Sequence, residues 1–341
     1  ALKNSTTKEN PSFKMIGEYY GAGYASNGST LGSGQMDADL DFDFNDQATS
    51  FVSGKISSVE KFLSARNSAL NNTYMTGQFL SSHDEDGFKA SLMNGKKYTE
   101  DKATSAALVA ATLQLTAKGI PVIYYGEEVG LSGLNNYPYQ TNRYDMDFSK
   151  ATKDNVTYQH YKNLLSIRNA YTDVFARGSR KVVANSDEEG YDVAAREYQG
   201  TKLYVGMNVN TKELQLTIPV TEGDASVMTD LYSGKTYVVN GGKVTVTIPS
   251  AADGGTVILK RTGSVSSGSS SASTSEPKKD QTTEVKKDTI VSADGSKTEV
   301  TMTTQKNEDG TVSGVTAEVQ TTGKESKKKV TGTISSEVVA H

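Results

Sequence analysis

The apolar pattern of this chain changes period once, near residue 172, and that change constrains the fold more than any other feature. Before it, strand-like and helix-like runs alternate. Ser12 to Glu18 reads as a short buried strand ending in a carboxylate, and Gln35 to Phe44 as a second strand after a Gly/Ser-rich loop. Val52, Ile56, Val59 and Leu63 recur at helical spacing, which predicts one amphipathic helix between Asp46 and Leu70. The unit repeats with a strand over Thr76 to Ser82, an alanine-rich helix from Asp101 to Lys118 that Gly119 would cap, and a strand over Ile120 to Tyr125. A helix over Tyr158 to Tyr171 closes the region. Such alternation implies an α/β fold with parallel strands covered by helices and polar residues gathered at the strand ends. A complete (β/α)₈ barrel takes about 250 residues and this region offers four convincing strands, so residues 1–172 are expected to form half of one.

From residue 173 to 261 the period is two. Tyr191 to Glu197, Lys202 to Asn208, Glu213 to Pro219, Lys235 to Val239, Lys243 to Ile248 and Thr256 to Lys260 are short runs separated by Gly, Asn and Asp turns. That spacing predicts an antiparallel β-sandwich. A Ser/Gly-rich stretch opens at Thr262, and residues 262–285 are read as a flexible linker. Residues 286–341 alternate polar and β-branched residues around the turns Ala293-Asp-Gly and Glu308-Asp-Gly, with no Phe, Tyr or Trp to fill a core. They read either as a thin β-module or as a disordered tail.

Composition removes several classes of function. The formal charge of −4 comes from interspersed acids and bases, so no continuous basic face for nucleic acid is expected. There is no cysteine, and the three histidines, His83, His160 and His341, are too scattered for a zinc site. The expected chemistry therefore runs on oxygen ligands, and no metal-ligating residues are singled out. No apolar run reaches the roughly 20 residues of a spanning helix, and the first residues lack a signal-peptide core, so any targeting signal is expected elsewhere.

Two motifs carry chemistry. Glu18 ends a strand and opens the loop Tyr19-Tyr-Gly-Ala-Gly-Tyr24, where an aromatic surround would favour the protonated carboxyl that a general acid needs. A solvated glutamate at a strand end is the plain alternative. His83-Asp84 follows Phe79-Leu-Ser-Ser, and a His donor beside an Asp acceptor can grip adjacent sugar hydroxyls. Here the alternatives are a solvated acidic loop or part of a cation site. The acids of Asp37-Ala-Asp-Leu-Asp-Phe-Asp43 lack EF-hand spacing and read as a solvated sheet end. Gly28 to Gly34 lacks the Lys-Ser/Thr of a phosphate loop.

Met15-Ile-Gly-Glu18, Phe79-Leu-Ser-Ser-His-Asp84 and Gly119-Ile-Pro-Val-Ile-Tyr-Tyr-Gly-Glu-Glu128, in this order, resemble the later sequence regions of the α-amylase family, glycoside hydrolase family 13. Asn142-Arg-Tyr-Asp-Met-Asp147 resembles the short motif after the last barrel strand. The resemblance covers roughly residues 12 to 260 and implies a retaining α-glucan hydrolase, acting on α-1,4 bonds ahead of α-1,6. It implies Glu18 as general acid and then base, Asp84 as transition-state stabiliser and His83 as a sugar-hydroxyl ligand. Tyr20 stands where many members carry a stacking Trp, and Arg143 is a further candidate sugar contact. The Tyr124 to Glu128 run is implied to be structural. The implied substrates are starch, maltooligosaccharides and pullulan, with Ca²⁺ a candidate cofactor of the longer enzyme. The family's nucleophilic Asp is expected before residue 1, so this chain is expected to be an inactive fragment. A carbohydrate-binding or cell-surface scaffold descended from an amylase is the rival reading, and transglycosylation is a rival within the enzyme class. An extracellular location, with wall association through the tail, is the matching expectation.

The composition break near Thr262 has a direct consequence for proteolysis. Limited digestion is expected to cut between Arg261 and Ser275 first, and cuts inside 190–260 with that stretch intact would show the boundary to be misplaced.

Overall fold

The computed structural model describes residues 2–18, 36–70 and 75–264, together with the backbone of 282–291, 297–306, 312–323 and 326–332. The chain divides into two units, Ala1–Ser267 and Gly268–His341. In the first, helix α1 (Leu2–Glu9) precedes a parallel sheet of order β1-β2-β3-β4, formed by Ile16–Gly17, Ala38–Asp41, Thr76–Gln78 and Ile120–Pro121. Between these strands run α2 (Asp43–Val52), α3 (Ile56–Ala69), α4 (Phe88–Gly95) and α5 (Glu100–Thr116), and α6 (Val156–Ala170) and α7 (Thr172–Ala176) follow.

Local chemistry explains the helix boundaries. The single helix expected over Asp46 to Leu70 is two, because Gly54 takes the left-handed conformation at φ 85°. Lys55 N then donates to Ser50 O and Gly54 N to Phe51 O, both at 3.0 Å, and this pair of bonds ends α2. Thr99 caps α5 by accepting from Lys102 N, with Glu100 and Asp101 in the first turn favouring the positive end of the helix dipole. Asn155 caps α6 by accepting from Thr157 N and Tyr158 N. Gly119 does not cap α5, whose C-cap residue is Ala117. At φ 126° it lies where a Cβ would meet Gln78 Oε1 at 2.1 Å, so glycine lets β4 approach β3.

The strand expected over Ser12 to Glu18 shrinks to Ile16–Gly17, and Ile16 is 70% exposed, because in the described sheet β1 pairs with β2 alone. Nor is the acid run of β2 a solvated sheet end. Asp39 and Asp41 are buried, and Asp41 receives the Arg66 guanidinium of α3.

Eight antiparallel strands follow: β5 (Ser179–Ser186), β6 (Tyr191–Tyr198), β7 (Thr201–Asn208), β8 (Leu214–Pro219), β9 (Ser226–Asp230), β10 (Thr236–Val238), β11 (Lys243–Ile248) and β12 (Thr256–Ser264). They form a six-stranded sheet of order β10-β9-β12-β7-β6-β5 and a pair β11-β8. Val193, Tyr204, Met228 and Val257 of the larger sheet share an apolar core with Ile218, Val244, Val246 and Ile248 of the smaller. Strands β5 and β9 escape a reading for alternating apolar residues because their burial depends on polar ones. In β9, Ser226, Met228 and Asp230 point inward, and Asp230 Oδ1 accepts from Tyr232 N and Ile258 N. In β5, Arg180 is buried between Glu60 of α3 and Asp192 of β6, its Nη2 lying 3.0 Å from Asp192 Oδ2. Burial pushes the Asp192 carboxyl up, and the adjacent Glu60 charge adds to the rise.

The two halves of this unit are one body, because α5 lies between them. Leu80, Val109 and Leu113 share a core with Leu203, Val205, Met207 and Ile258. Three buried arginines converge on the last carbonyls of α5 and the turn after it. Arg66 Nη2 donates to Lys118 O at 2.9 Å, Arg168 Nη1 to Leu115 O at 2.6 Å, and Arg196 Nη1 to Thr116 O. Arg168 Nη2 also reaches Gly119 O, while Arg196 Nη2 reaches Val174 O and Phe175 O at 3.0 and 2.7 Å.

The second unit is an antiparallel meander of β13 (Thr282–Val291), β14 (Lys297–Lys306), β15 (Val312–Gly323) and β16 (Ser326–Gly332). Both turns singled out in the sequence, and most of the stretch read as a linker, lie outside the described residues.

After β4 the chain makes a 3₁₀ turn at Glu127–Val129 that buries Glu127 beneath the loop following β3. Tyr161 donates its hydroxyl to Glu127 Oε1 at 2.5 Å, and a water-sized cavity of about 30 Å³ lies alongside, lined by Ser81, Phe88 and Leu131. Burial pushes the Glu127 carboxyl up to about 7, against hydrogen bonds from Ser81 and Tyr161 that favour the charged form.

Two expectations follow. Arg196→Met should cost about 3 kcal/mol or more, because several buried carbonyls lose their donor at once, and a loss under about 1 kcal/mol in urea unfolding would contradict the capping role. The raised Glu127 pKa means that the native state holds this proton more tightly than the unfolded chain. Its contribution to stability is complete below about 4.5 and is lost as pH rises through about 7. The wild type should therefore be less stable at pH 8 than at pH 5, by up to about 3 kcal/mol from this group. Glu127→Gln should remove that part of the slope, and parallel pH profiles for the two proteins would refute it.

Candidate active site

Glu18 follows β1 directly, and the close packing of that strand sets its place. A Cβ at Gly17 would lie 1.7 Å from Asp39 Oδ1, so glycine is what lets β1 pair with β2 in this register. Asp37 steadies the approach: its Oδ2 accepts from Met15 N at 2.9 Å while its own N donates to Met15 O at 2.9 Å. That bond from Met15 is the main reason the Asp37 carboxyl is held below its ordinary range, with Lys3 adding to it.

His83 and Asp84 leave the sheet five and six residues after β3, in a bend held from below. Ser82 Oγ accepts from Asp84 N and Glu85 N, each at 3.1 Å, and Ser81 Oγ accepts from Phe88 N at 3.0 Å. His83 Nε2 lies 3.2 Å from Asp84 Oδ2. Glu18, His83 and Asp84 each bring one carboxylate oxygen or ring nitrogen within 4.8 Å of the other two, and all three are exposed. Residues far apart in sequence thus face one small volume of solvent.

Arg143 joins them. Its Nη2 donates to Asp84 Oδ1 at 3.0 Å and its Nε to His83 O at 3.1 Å, so the guanidinium is engaged by the pair itself. The fixed positive charge of Arg143 against Asp84 opposes a divalent cation at the Glu18, His83 and Asp84 atoms. Tyr20, the expected stacking ring, lies outside the described residues.

Beside Asp84 an open hollow of about 320 Å³ is lined by Asn45, Glu85, Asp86, Ser91 and Asn135. Asn135 bridges its wall, donating from Nδ2 to Asp84 O and from N to Asp86 Oδ1, both at 2.7 Å. Burial, with the charges of Asp46, Asp86 and Asp84, raises the Glu85 carboxyl. Next to the pair stands a cluster of rings, Tyr124, Tyr125 and Tyr144, with centroids 4.7 to 6.2 Å apart. Burial pushes the Tyr124 hydroxyl up to about 12, and it donates to Asn142 O at 3.1 Å. Asn142 and Tyr124 are the residues a motif reading undervalues. Each sits inside a recognised motif, but only the fold shows that Asn142 reaches back to the His83 loop and that Tyr124 holds Asn142.

Chemically, the arrangement offers two carboxylates and an imidazole on one solvent-facing surface, with an arginine orienting one carboxylate.

The family profile described as "Alpha amylase, catalytic domain" matches residues 1–160. An amylopullulanase of Thermoanaerobacterium saccharolyticum is 28% identical over 200 residues, covering 52% of this chain and 15% of the relative. Alpha-amylase 1 of Lipomyces kononenkoae is 32% identical over 118 residues, 35% of this chain and 17% of the relative. The chain therefore spans a small part of the length of these relatives. Among solved structures, an Anoxybacillus α-amylase shares the fold with a TM-score of 0.61 at 20% identity, over 77% of this chain and 55% of its own. The motifs around Glu18, His83-Asp84 and Gly119 to Glu128 fall within the matched segment, so residues 1–160 are similar to the catalytic domain of the α-amylase family.

Proposed function

We propose that this chain is the part of a retaining α-glucan hydrolase that supplies the acid catalyst and the ring-binding pair. The observation that carries the reading is the meeting of Glu18, His83 and Asp84 within 4.8 Å at the ends of two parallel strands. In this reading Glu18 protonates the departing glycosidic oxygen and later takes a proton from water. Asp84, oriented by Arg143, stabilises the charge that develops on the sugar ring, and His83 donates to a ring hydroxyl. The parallel sheet is the second half of a (β/α)₈ barrel, and β5 to β12 are the β-sandwich that follows it. The names amylopullulanase, cyclomaltodextrinase and cyclomaltodextrin glucanotransferase among the relatives support the α-glucan class. Cleavage of α-1,4 bonds is favoured over α-1,6, and the protein would act outside the cell, with the C-terminal meander as a wall-facing module.

Retaining hydrolysis needs two carboxyl groups about 5 to 5.5 Å apart, one attacking and one protonating. With Asp84 committed to the ring, the attacking group is the Asp that the family carries on earlier strands. None of the motifs quoted from residues 1–341 corresponds to it.

Reducing-sugar release from starch should therefore be absent for residues 1–341 and appear when the segment bearing that Asp is joined or added. In the active form, Glu18→Gln should lower activity on unactivated glucans by about 10² to 10⁴-fold, with smaller losses in the glycosylation step for leaving groups that need no proton. Asp84→Asn should reduce both substrate types alike. Glu18-dependent hydrolysis by residues 1–341 alone would move the nucleophile to Asp84, Asp86 or Asp145, while equal losses for both substrates in Glu18→Gln would reject the acid role.

A further inference from the structure

Asn142 is completely buried, yet its side chain makes three hydrogen bonds to the loop bearing His83 and Asp84. Its Nδ2 lies 3.3 Å from Ser82 O, 3.0 Å from His83 O and 2.9 Å from Glu85 O. An amide nitrogen carries two hydrogens, so three carbonyls share two donors, and the backbone of 82–85 is wrapped around one group. Turning the amide over would set its oxygen against three carbonyl oxygens, which fixes the orientation by chemistry. The main chain of Asn142 is pinned on both sides, with its N donating to Leu134 O at 3.1 Å and its O accepting from the Tyr124 hydroxyl at 3.1 Å. Its neighbour Arg143 thereby arrives at Asp84 Oδ1.

We propose that Asn142 is a positioning residue that sets the orientation of the His83-Asp84 pair for a sugar ligand. The ligand part of this statement rests on the functional reading above; the positioning part does not. A residue needed only to fill volume at this buried place could be apolar. Asn142 is there for its donors, since its Oδ1 has no hydrogen-bond partner among the described residues. Ser82 Oγ accepts from two amides of the loop and Arg143 and Asn135 reach it from the solvent side, whereas Asn142 gathers three of its carbonyls from the buried side. Loss of these donors leaves His83 and Asp84 on a bend with several conformations, and an error of about 1 Å at such a group costs about 100-fold in rate.

The chain contains three histidines, so ring resonances read the effect directly in the full 341-residue protein. His160 is the internal control: it lies in the core, with Nε2 2.7 Å from Leu108 O and Nδ1 2.6 Å from the Tyr232 hydroxyl. In Asn142→Asp, which keeps the size and replaces the donor by an oxygen that the carbonyls repel, the His83 ring signal should shift and split while that of His160 stays in place. Tyr124→Phe, which removes one tether of Asn142, should move His83 in the same sense by less. An unmoved His83 signal in Asn142→Asp, or equal movement of His83 and His160, would overturn the proposal. Should Asn142→Asp fail to fold, Tyr124→Phe decides by the same criterion. Adding maltoheptaose to the wild type separates the two claims: no change at His83 rejects the sugar-binding reading, whereas the line shapes of the variants still judge the positioning.

Discussion

The C-terminal end of α5 is the point on which the rest of the first unit depends. A helix end leaves carbonyls without partners and carries partial negative charge, and burying it without donors would be costly. Here guanidinium groups from α3, α6 and β6 supply those donors, through Arg66, Arg168 and Arg196. The three cations cluster, and burial draws Arg168 down to about 10 while Lys118, desolvated beside Arg196 and Arg66, is also lowered. Carbonyl dipoles offset much of that repulsion, and Arg66 has Asp41 as counter-charge. Because the arginines come from three elements, the same junction joins the parallel sheet to the antiparallel one. It also fixes where the chain turns at Lys118 and Gly119 to start β4, and hence where Tyr124 and Glu127 arrive beneath the His83 loop.

The loop after β3 is therefore held by groups whose own places are set by packed secondary structure. Ser81 is tied to the start of α4 by the Phe88 amide, and Glu127 is tied to α6 through Tyr161. Asn142 returns from the segment after β4 to close the loop from the other side. Charged atoms at the surface can then keep a definite arrangement without being buried, which leaves them open to a ligand that must enter and leave.

Much of this was legible in the sequence wherever apolar residues set the period. The alternation of strands and helices up to residue 171 and the period of two after 190 correspond to the elements found, with shifted ends. What escaped was polar. A glycine in the left-handed conformation splits one expected helix at Ser53-Gly54, and no apolar spacing marks it. Strand β5 is stabilised by Arg180 between two buried carboxylates, which reads as a surface in sequence. The acids of β2 looked solvated for the same reason, since Arg66 lies on a helix that follows them. At the site, Glu18, His83 and Asp84 were visible through their motifs, but the engagement of Arg143 with Asp84 depends on a contact between segments 59 residues apart.

The geometry of the pair also depends on what the strand between them does. Strands lie about 4.8 Å apart, so the ends of β1 and β3, with β2 between, stand roughly two spacings from each other. A tall loop after β2 would separate Glu18 from His83 and Asp84. Instead β2 ends at Asp41, and α2 begins at Asp43 with Phe42 alone between them. Asp41 is turned inward to Arg66, and the Phe42 ring packs edge-on against Phe79 at a centroid distance of 5.0 Å. The middle strand thus leaves the sheet at once, and its last side chains are spent on the core. Among the described residues nothing separates the two ends, and the side chains of Glu18 and Asp84 lean across the space to within 4.8 Å. The abrupt strand-to-helix turn at Phe42 is as much a part of the site as the residues that face the solvent.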